Sequence, residues 1–213
     1  MTDAKLRFTT ALLYLIAPAR PAAGDLDRFL ASVLDAGVDM VQLREKHMQE
    51  AELKVFCEIA RRRTDEFGAL FIVNDSVDLA IACGADGVHL GQDDMPIDQA
   101  RNRMGAGALI GLSTHAETEI LTATESGADY IGVGPVYETP TKPGRSATGL
   151  DLIRYAAAKT KTPFFAIGGI DLITLPHVLE AGATRVSVLR ALTEAADPAG
   201  VARSMKRSLV DRT

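Results

Sequence analysis

Four times in this chain a small residue, a glycine, another small residue and a polar one stand just ahead of an apolar run. They are Ala36-Gly37-Val38-Asp39, Cys83-Gly84-Ala85-Asp86, Ser126-Gly127-Ala128-Asp129 and Ala181-Gly182-Ala183-Thr184. Glycine there supplies the left-handed cap that ends a helix and turns the chain into a strand. Short apolar strand candidates recur at Leu12–Ala17, Met40–Arg44, Leu70–Val73, Gly87–Leu90, Leu109–Leu112, Tyr130–Val133, Phe164–Ile167 and Arg185–Leu189. Between them apolar residues fall at helical spacing, as in Leu26, Phe29, Leu30, Val33 and Leu34, or Leu53, Phe56, Cys57 and Ala60. Further helical stretches stop near Gly127 and at Gly182. Eight strands alternating with helices predict an α/β chain folded as a (β/α)8 TIM barrel. A doubly wound open sheet is the rival. The even spacing and the lack of a Gly-rich dinucleotide turn after the first strand disfavour it.

No linker, charge block or low-complexity run divides the chain, and 213 residues suit one barrel, so residues 1–213 read as a single domain. A net charge of -5 leaves no electrostatic footprint for nucleic acid or an anionic membrane surface. The start has no cleavable signal pattern, and Ala11 to Ala17 is too short to span a bilayer. The expected location is the cytoplasm. Cys57 and Cys83 both read as small buried core residues, with no disulfide framework implied.

In a barrel of this kind chemistry belongs where the strands finish. After the second strand candidate, Gln42, Arg44 and Lys46 share one side while Val41 and Leu43 take the other. The polar three then point toward the barrel mouth, unless the strand end is merely frayed and solvated. Asn74, Asp75 and Ser76 end the third strand. Asp75 or Ser76 would cap the helix that follows, and Asp94 would cap one opening at Met95-Pro96. The competing reading brings Asp75 and Asp94, on neighbouring strands, to one hard cation, for which magnesium is the fit. His89 reads as structural or as support for a neighbour. At the fifth strand, Thr114 and Glu117 form a capping box, Ser113 is left over as a hydroxyl at the mouth, and His115 is expected to be exposed. Gly168-Gly169 lets backbone N–H groups approach an anion, in the loop that often binds phosphate in such barrels.

After Tyr130–Val133, Gly134 and Pro135 stop regular structure, and Thr139-Pro140-Thr141-Lys142 puts two hydroxyls and an ammonium on a stiff path. Those groups suit a phosphate-bearing ligand. A solvated loop with Thr and Pro as turn formers is the plain alternative.

Taken together, these pieces resemble the thiamine phosphate synthase family. The matching segments are Gln42-Leu43-Arg44-Glu45-Lys46, Asn74-Asp75, His89-Leu90-Gly91-Gln92-Asp93-Asp94, Ser113-Thr114-His115, Gly132 to Pro135 with Thr139 to Lys142, and Gly168-Gly169-Ile170. They run in family order from about Tyr14 to Arg190. The resemblance implies that Gln42, Arg44, Lys46, Asn74, Ser113 and Lys142 hold a pyrimidine diphosphate, with Lys142, Arg44, Lys46 and Ser113 serving catalysis. It implies Mg2+ at Asp75 and Asp94. Thr139, Thr141, the Gly168-Gly169 backbone and the strand-8 end, Leu189-Arg190, would hold a thiazole phosphate. Many family members have Ile-Ser where this chain has Leu189-Arg190, so a serine contact is lost and Arg190 is left to replace it. The segment from Lys142 to Ser146 is expected to close as a lid. Small-molecule substrates are the implied partners, and assembly into a homo-oligomer stays open. Two alternatives are a thiazole tautomerase on the same barrel and a non-catalytic phosphate-ligand sensor.

Overall fold

The computed structural model describes residues 2–20, 23–45, 48–139 and 146–212. Strands β1 (Leu13–Ala17), β2 (Met40–Leu43), β3 (Leu70–Asn74) and β4 (Gly87–Leu90) form one half of a barrel. Strands β5 (Leu109–Thr114), β6 (Tyr130–Val133), β7 (Phe164–Ile167) and β8 (Val186–Val188) form the other. Each pairs in parallel with the next, and β8 returns to β1 to close the sheet. Helices α2 (Leu26–Asp35), α3 (Glu50–Phe67), α4 (Val77–Ala82) and α5 (Ile97–Met104) follow the first four strands. Helices α6 (Glu117–Glu125), α7 (Gly149–Lys159) and α8 (Leu175–Glu180) follow β5, β6 and β7, and α9 (Arg190–Thr193) and α10 (Pro198–Val210) end the chain. The order expected from the apolar runs holds, and so does the barrel.

The four capping glycines all have positive φ, from 59° at Gly84 to 103° at Gly182. The polar residue two places later has a role the repeat did not reveal. Asp39 accepts the N–H groups of Leu12 and Leu13, Asp86 that of Phe71, and Asp129 that of Ile110. Each carboxylate thus ties its own turn to the start of the preceding strand. Each is also paired with cations: Lys206 at Asp39, Arg7 and Arg61 at Asp86, and Lys5 and Arg101 at Asp129. The face opposite the strand ends is therefore laced by charge-assisted bonds, the stability face of such a barrel.

Strand side chains divide between two cores, because successive residues face opposite ways. Leu15, Val41, Leu43, Phe71, Val88 and Ile131 face the surrounding helices in the larger core. Tyr14, Met40, Leu70, Ile72, Leu109, Tyr130 and Phe165 fill the barrel, with Phe8 beneath them. Phe8 comes from an unforeseen helix, α1 (Asp3–Thr9), which closes the bottom of the barrel. Its ring lies 5.4 Å from that of Tyr130 and 6.2 Å from that of Phe165, and the Arg185 guanidinium covers it at 4.9 Å. Seven residues with one buried apolar position are too short to show a helical period. Cys57 is buried as expected, whereas Cys83, at the end of α4, is only half-buried, and both are free thiols.

Candidate active site

A cavity of about 300 Å³ opens at the C-terminal ends of the strands. Its lining includes Arg44, Ser113, Thr139, Gly168, Gly169, Leu189 and Arg190, drawn from the ends of five strands. These are seven of the residues the sequence singled out. Arg44 arrives there because its N–H bonds to the Ala17 carbonyl at 2.9 Å, which carries the alternation of β2 one step past the strand. Among the described residues it forms no ion pair. Ser113 sits on β5 with its hydroxyl 3.0 Å from His89 Nε2.

The β6 and β7 ends are held together backbone to backbone. Val136 and Tyr137 donate N–H bonds to the carbonyls of Ile167 and Gly168, at 2.8 and 3.0 Å. A β-carbon on Gly168 would lie 2.4 Å from Pro135 Cα, and φ there is +103°. Only glycine permits that approach. Arg190, at the start of α9, stands 3.8 Å from Glu194, and both face the cavity.

Other expected site residues lie elsewhere or outside the described set. Gln42 points inward as its alternation with Val41 and Leu43 requires, but it is 1% exposed and does not line the cavity. Its amide donates to the Tyr14 hydroxyl at 2.5 Å. Asn74 ends β3 and is half-buried, and neither it nor Asp75 nor Asp94 lines the cavity. Lys46, Thr141 and Lys142 lie outside the described residues, as does the expected lid apart from Ser146.

Asp75 and Asp94 stand in the loops after the adjacent strands β3 and β4, both exposed. Asp75 has φ of 62°, and its N–H bonds to the His89 carbonyl at 2.9 Å. Asp94 accepts the Gly91 N–H at 2.6 Å. No group of three or more His, Cys, Asp or Glu among the described residues could hold a metal by itself. Two carboxylates with other positions left to water and phosphate oxygen are nonetheless the donor set magnesium accepts.

Three local expectations change. Thr114 makes no capping box: α6 begins after Ala116, and the Thr114 hydroxyl donates to the Gly132 carbonyl at 3.1 Å. Asp94 closes a turn with Gly91 rather than capping a helix, because α5 begins after Pro96. His115 is half-buried in the cavity wall, with Nδ1 2.5 Å from the Gly134 carbonyl. Ser76 does cap α4, accepting the Leu79 N–H at 3.1 Å.

Ile16, Asp171, Ser187 and Glu194 also line the cavity and were not singled out. A signal existed for Asp171, since aspartate three residues before a threonine can build a local turn. Its carboxylate accepts the N–H groups of Ile173 and Thr174 at 2.9 and 2.8 Å. Burial works against ionisation of Asp171, but the hydrogen bonds from Thr174 and Ile173 outweigh it and hold the carboxyl below its usual range. A folded pKa below the unfolded one contributes stability above the unfolded value, near 4, which is lost as pH falls through the folded value. The stability gap between the protein and Asp171→Asn is therefore expected to be present at pH 7, roughly 1 kcal/mol, and to close below about pH 4. Chemical denaturation at a series of pH values measures it, and a gap that does not depend on pH contradicts the assignment.

The family model described as thiamine monophosphate synthase matches residues 13–192. A thiamine-phosphate synthase of Streptomyces avermitilis is 50% identical over 212 residues, covering 97% of each chain. One from Acidothermus cellulolyticus is 51% identical over 204 residues, covering 93% of this chain and 94% of its own. A solved thiamine phosphate pyrophosphorylase from Pyrococcus furiosus superposes with a TM-score of 0.86 at 32% identity, covering 97% of this chain and 98% of that one.

Proposed function

Because this chain belongs to the thiamine monophosphate synthase family, we propose that its barrel mouth joins a hydroxymethylpyrimidine diphosphate to a thiazole phosphate. The products are thiamine phosphate and pyrophosphate, and the enzyme is a transferase of a pyrimidinylmethyl group. One observation supports the residue roles most directly. Arg44, Ser113, Thr139, Gly168, Gly169 and Arg190, spread over the whole chain, come to one cavity.

In this reading Arg44, Lys46 and Lys142 bind the diphosphate, Asn74 and Ser113 fix the pyrimidine end, and Gln42, buried beneath the cavity, acts only through its bond to Tyr14. Thr139, Thr141, the Gly168-Gly169 backbone, Leu189 and Arg190 receive the thiazole phosphate. Asp75 and Asp94 would hold Mg2+, which when bound supplies positive charge to the leaving oxygens. The departing diphosphate carries about three negative charges, extrapolating from phosphate monoesters. The three basic side chains and a divalent ion, offset by the two aspartates, bring about three positive charges. The C–O bond breaks with its electron pair leaving on the diphosphate. The thiazole nitrogen then donates its lone pair to the pyrimidinylmethyl cation, forming the C–N bond. No protein nucleophile takes part. The barrel's contribution is to hold the two substrates in line and keep water from the cation.

The test mixes both substrates with the protein and follows pyrophosphate and thiamine phosphate together. Equal amounts of the two products are expected. Chelation of divalent ions should slow the reaction by about two orders of magnitude or more, reversed by added magnesium. Isomerised thiazole with no pyrophosphate would instead mark a tautomerase, and tight binding with no product a sensor. The reaction is assigned to the cytoplasm. No helix among the described residues is long and apolar enough to cross a membrane.

A further inference from the structure

A chain of hydrogen bonds crosses the barrel interior from β2 to the cavity. Gln42 Nε2 donates to Tyr14 Oη at 2.5 Å, and Tyr14 Oη lies 3.1 Å from Tyr130 Oη. Tyr130 Oη lies 3.3 Å from His89 Nδ1, and His89 Nε2 lies 3.0 Å from Ser113 Oγ. Gln42, Tyr14 and Tyr130 are 1%, 2% and 0% exposed and His89 9%, so water does not interrupt the links. The chain spends space that side chains would otherwise fill. Gly111 has no side chain where Tyr130 and His89 meet, since a β-carbon there would fall 2.2 Å from Tyr130 Cζ and 2.5 Å from His89 Nδ1.

We propose that this buried relay sets the proton positions of the cavity floor, making Tyr14, Tyr130 and His89 positioning residues that turn the Ser113 hydroxyl outward as a donor. An amide nitrogen can only donate, so the Tyr14 oxygen accepts from Gln42 and its own proton goes to Tyr130. Tyr130 then accepts from Tyr14 and donates to His89 Nδ1. The imidazole proton sits on Nε2 and is given to Ser113 Oγ. With its lone pair engaged, the Ser113 O–H faces the cavity. Burial pushes both phenols above their ordinary range, so each keeps a proton to pass on. The ligand atom that Ser113 meets must accept a hydrogen bond. Resting on the function proposed above, that atom belongs to the pyrimidine diphosphate, through a ring nitrogen or a phosphate oxygen.

The test reads the tautomer of His89 directly, by ¹⁵N NMR of the full chain without substrates. The signals of His47, His89, His115 and His177 are told apart by loss of one set in a His89→Asn variant. The protein is expected to show the Nε2–H form of His89. Tyr130→Phe keeps the ring that packs edge-on against Tyr14 and Phe165 and removes only the hydroxyl. It should lose that single tautomer and lower kcat about tenfold, leaving the KM for thiazole phosphate within twofold. Tyr14→Phe cuts the relay one link earlier and should give mixed tautomers, which serves if Tyr130→Phe does not fold. A proton on Nδ1 in the unmodified protein overturns the relay. So do variants that keep the Nε2–H form and full rate. An active enzyme with the wrong tautomer sinks the relay and leaves the proposed activity standing. An inactive chain with the Nε2–H form supports the relay's direction and sinks the activity.

Discussion

Arg44→Ala is expected to lower kcat/KM for the pyrimidine diphosphate by roughly two to three orders of magnitude, with the melting temperature little changed. The reason is the position of the guanidinium. It reaches the cavity wall from the residue after β2, and among the described residues no carboxylate neutralises it. An arginine half-buried without a counter-charge suits an anionic ligand. Because the proposed role is to draw off charge as the leaving group departs, the loss should appear in kcat as well as KM. The KM for the thiazole phosphate should move by less than about threefold, since that substrate is assigned to the loops after β6, β7 and β8. Arg44→Lys keeps the charge but not the planar fork, and an intermediate rate is expected. Steady-state kinetics with each substrate varied in turn decides the matter. A rate within threefold of the starting enzyme would remove Arg44 from the diphosphate site.

Gly111→Ala should be among the most damaging single-methyl additions in the chain, costing about 3 kcal/mol of stability. The new β-carbon would stand 2.2 and 2.5 Å from two atoms of the Tyr130 ring and 2.5 Å from His89. The Tyr130 ring has no room to yield. Tyr130 is fully buried, with Tyr14, Phe165 and Phe8 centroids within 5.9 Å of its own. The cause is steric, because Gly111 is not among the positive-φ glycines. Gly127→Ala makes the useful contrast. Its φ is +83° and a β-carbon there meets nothing within 4 Å, so only the backbone term of about 1 kcal/mol is expected. Urea denaturation of both variants checks the pair. Equal losses would mean that close packing around Tyr130 does not set the cost at Gly111.

Much of the site could be read before the fold because two simple periods cooperate. Alternation along β2 puts Gln42 and Arg44 on the inward side, and the barrel order puts Gly168-Gly169 in the seventh loop. At the mouth the sequence misleads where a residue's local rule has two outcomes. Thr114 fits a capping box in sequence, but β5 runs on to Thr114, and the hydroxyl finds the Gly132 carbonyl first. Asp94 fits a helix cap, but α5 begins only after Pro96, and the carboxylate takes the Gly91 N–H instead. His115 has no pattern that would set it inward, and its place follows from the Gly134 carbonyl beside it.

The order of the eight strands, the left-handed turns at Gly37, Gly84, Gly127 and Gly182, and the inward side of β2 were all decided by the sequence alone. Each depends on a residue's own backbone preference or on the two-residue period of a strand, and both are local properties. Tertiary structure alone decided that Phe8 closes the barrel floor and that Asp39, Asp86 and Asp129 tie neighbouring strands. It alone decided, too, that Gln42 reaches Ser113 through Tyr14, Tyr130 and His89. These contacts join residues up to 177 positions apart (Phe8 to Arg185), and closure of the sheet is what makes them neighbours.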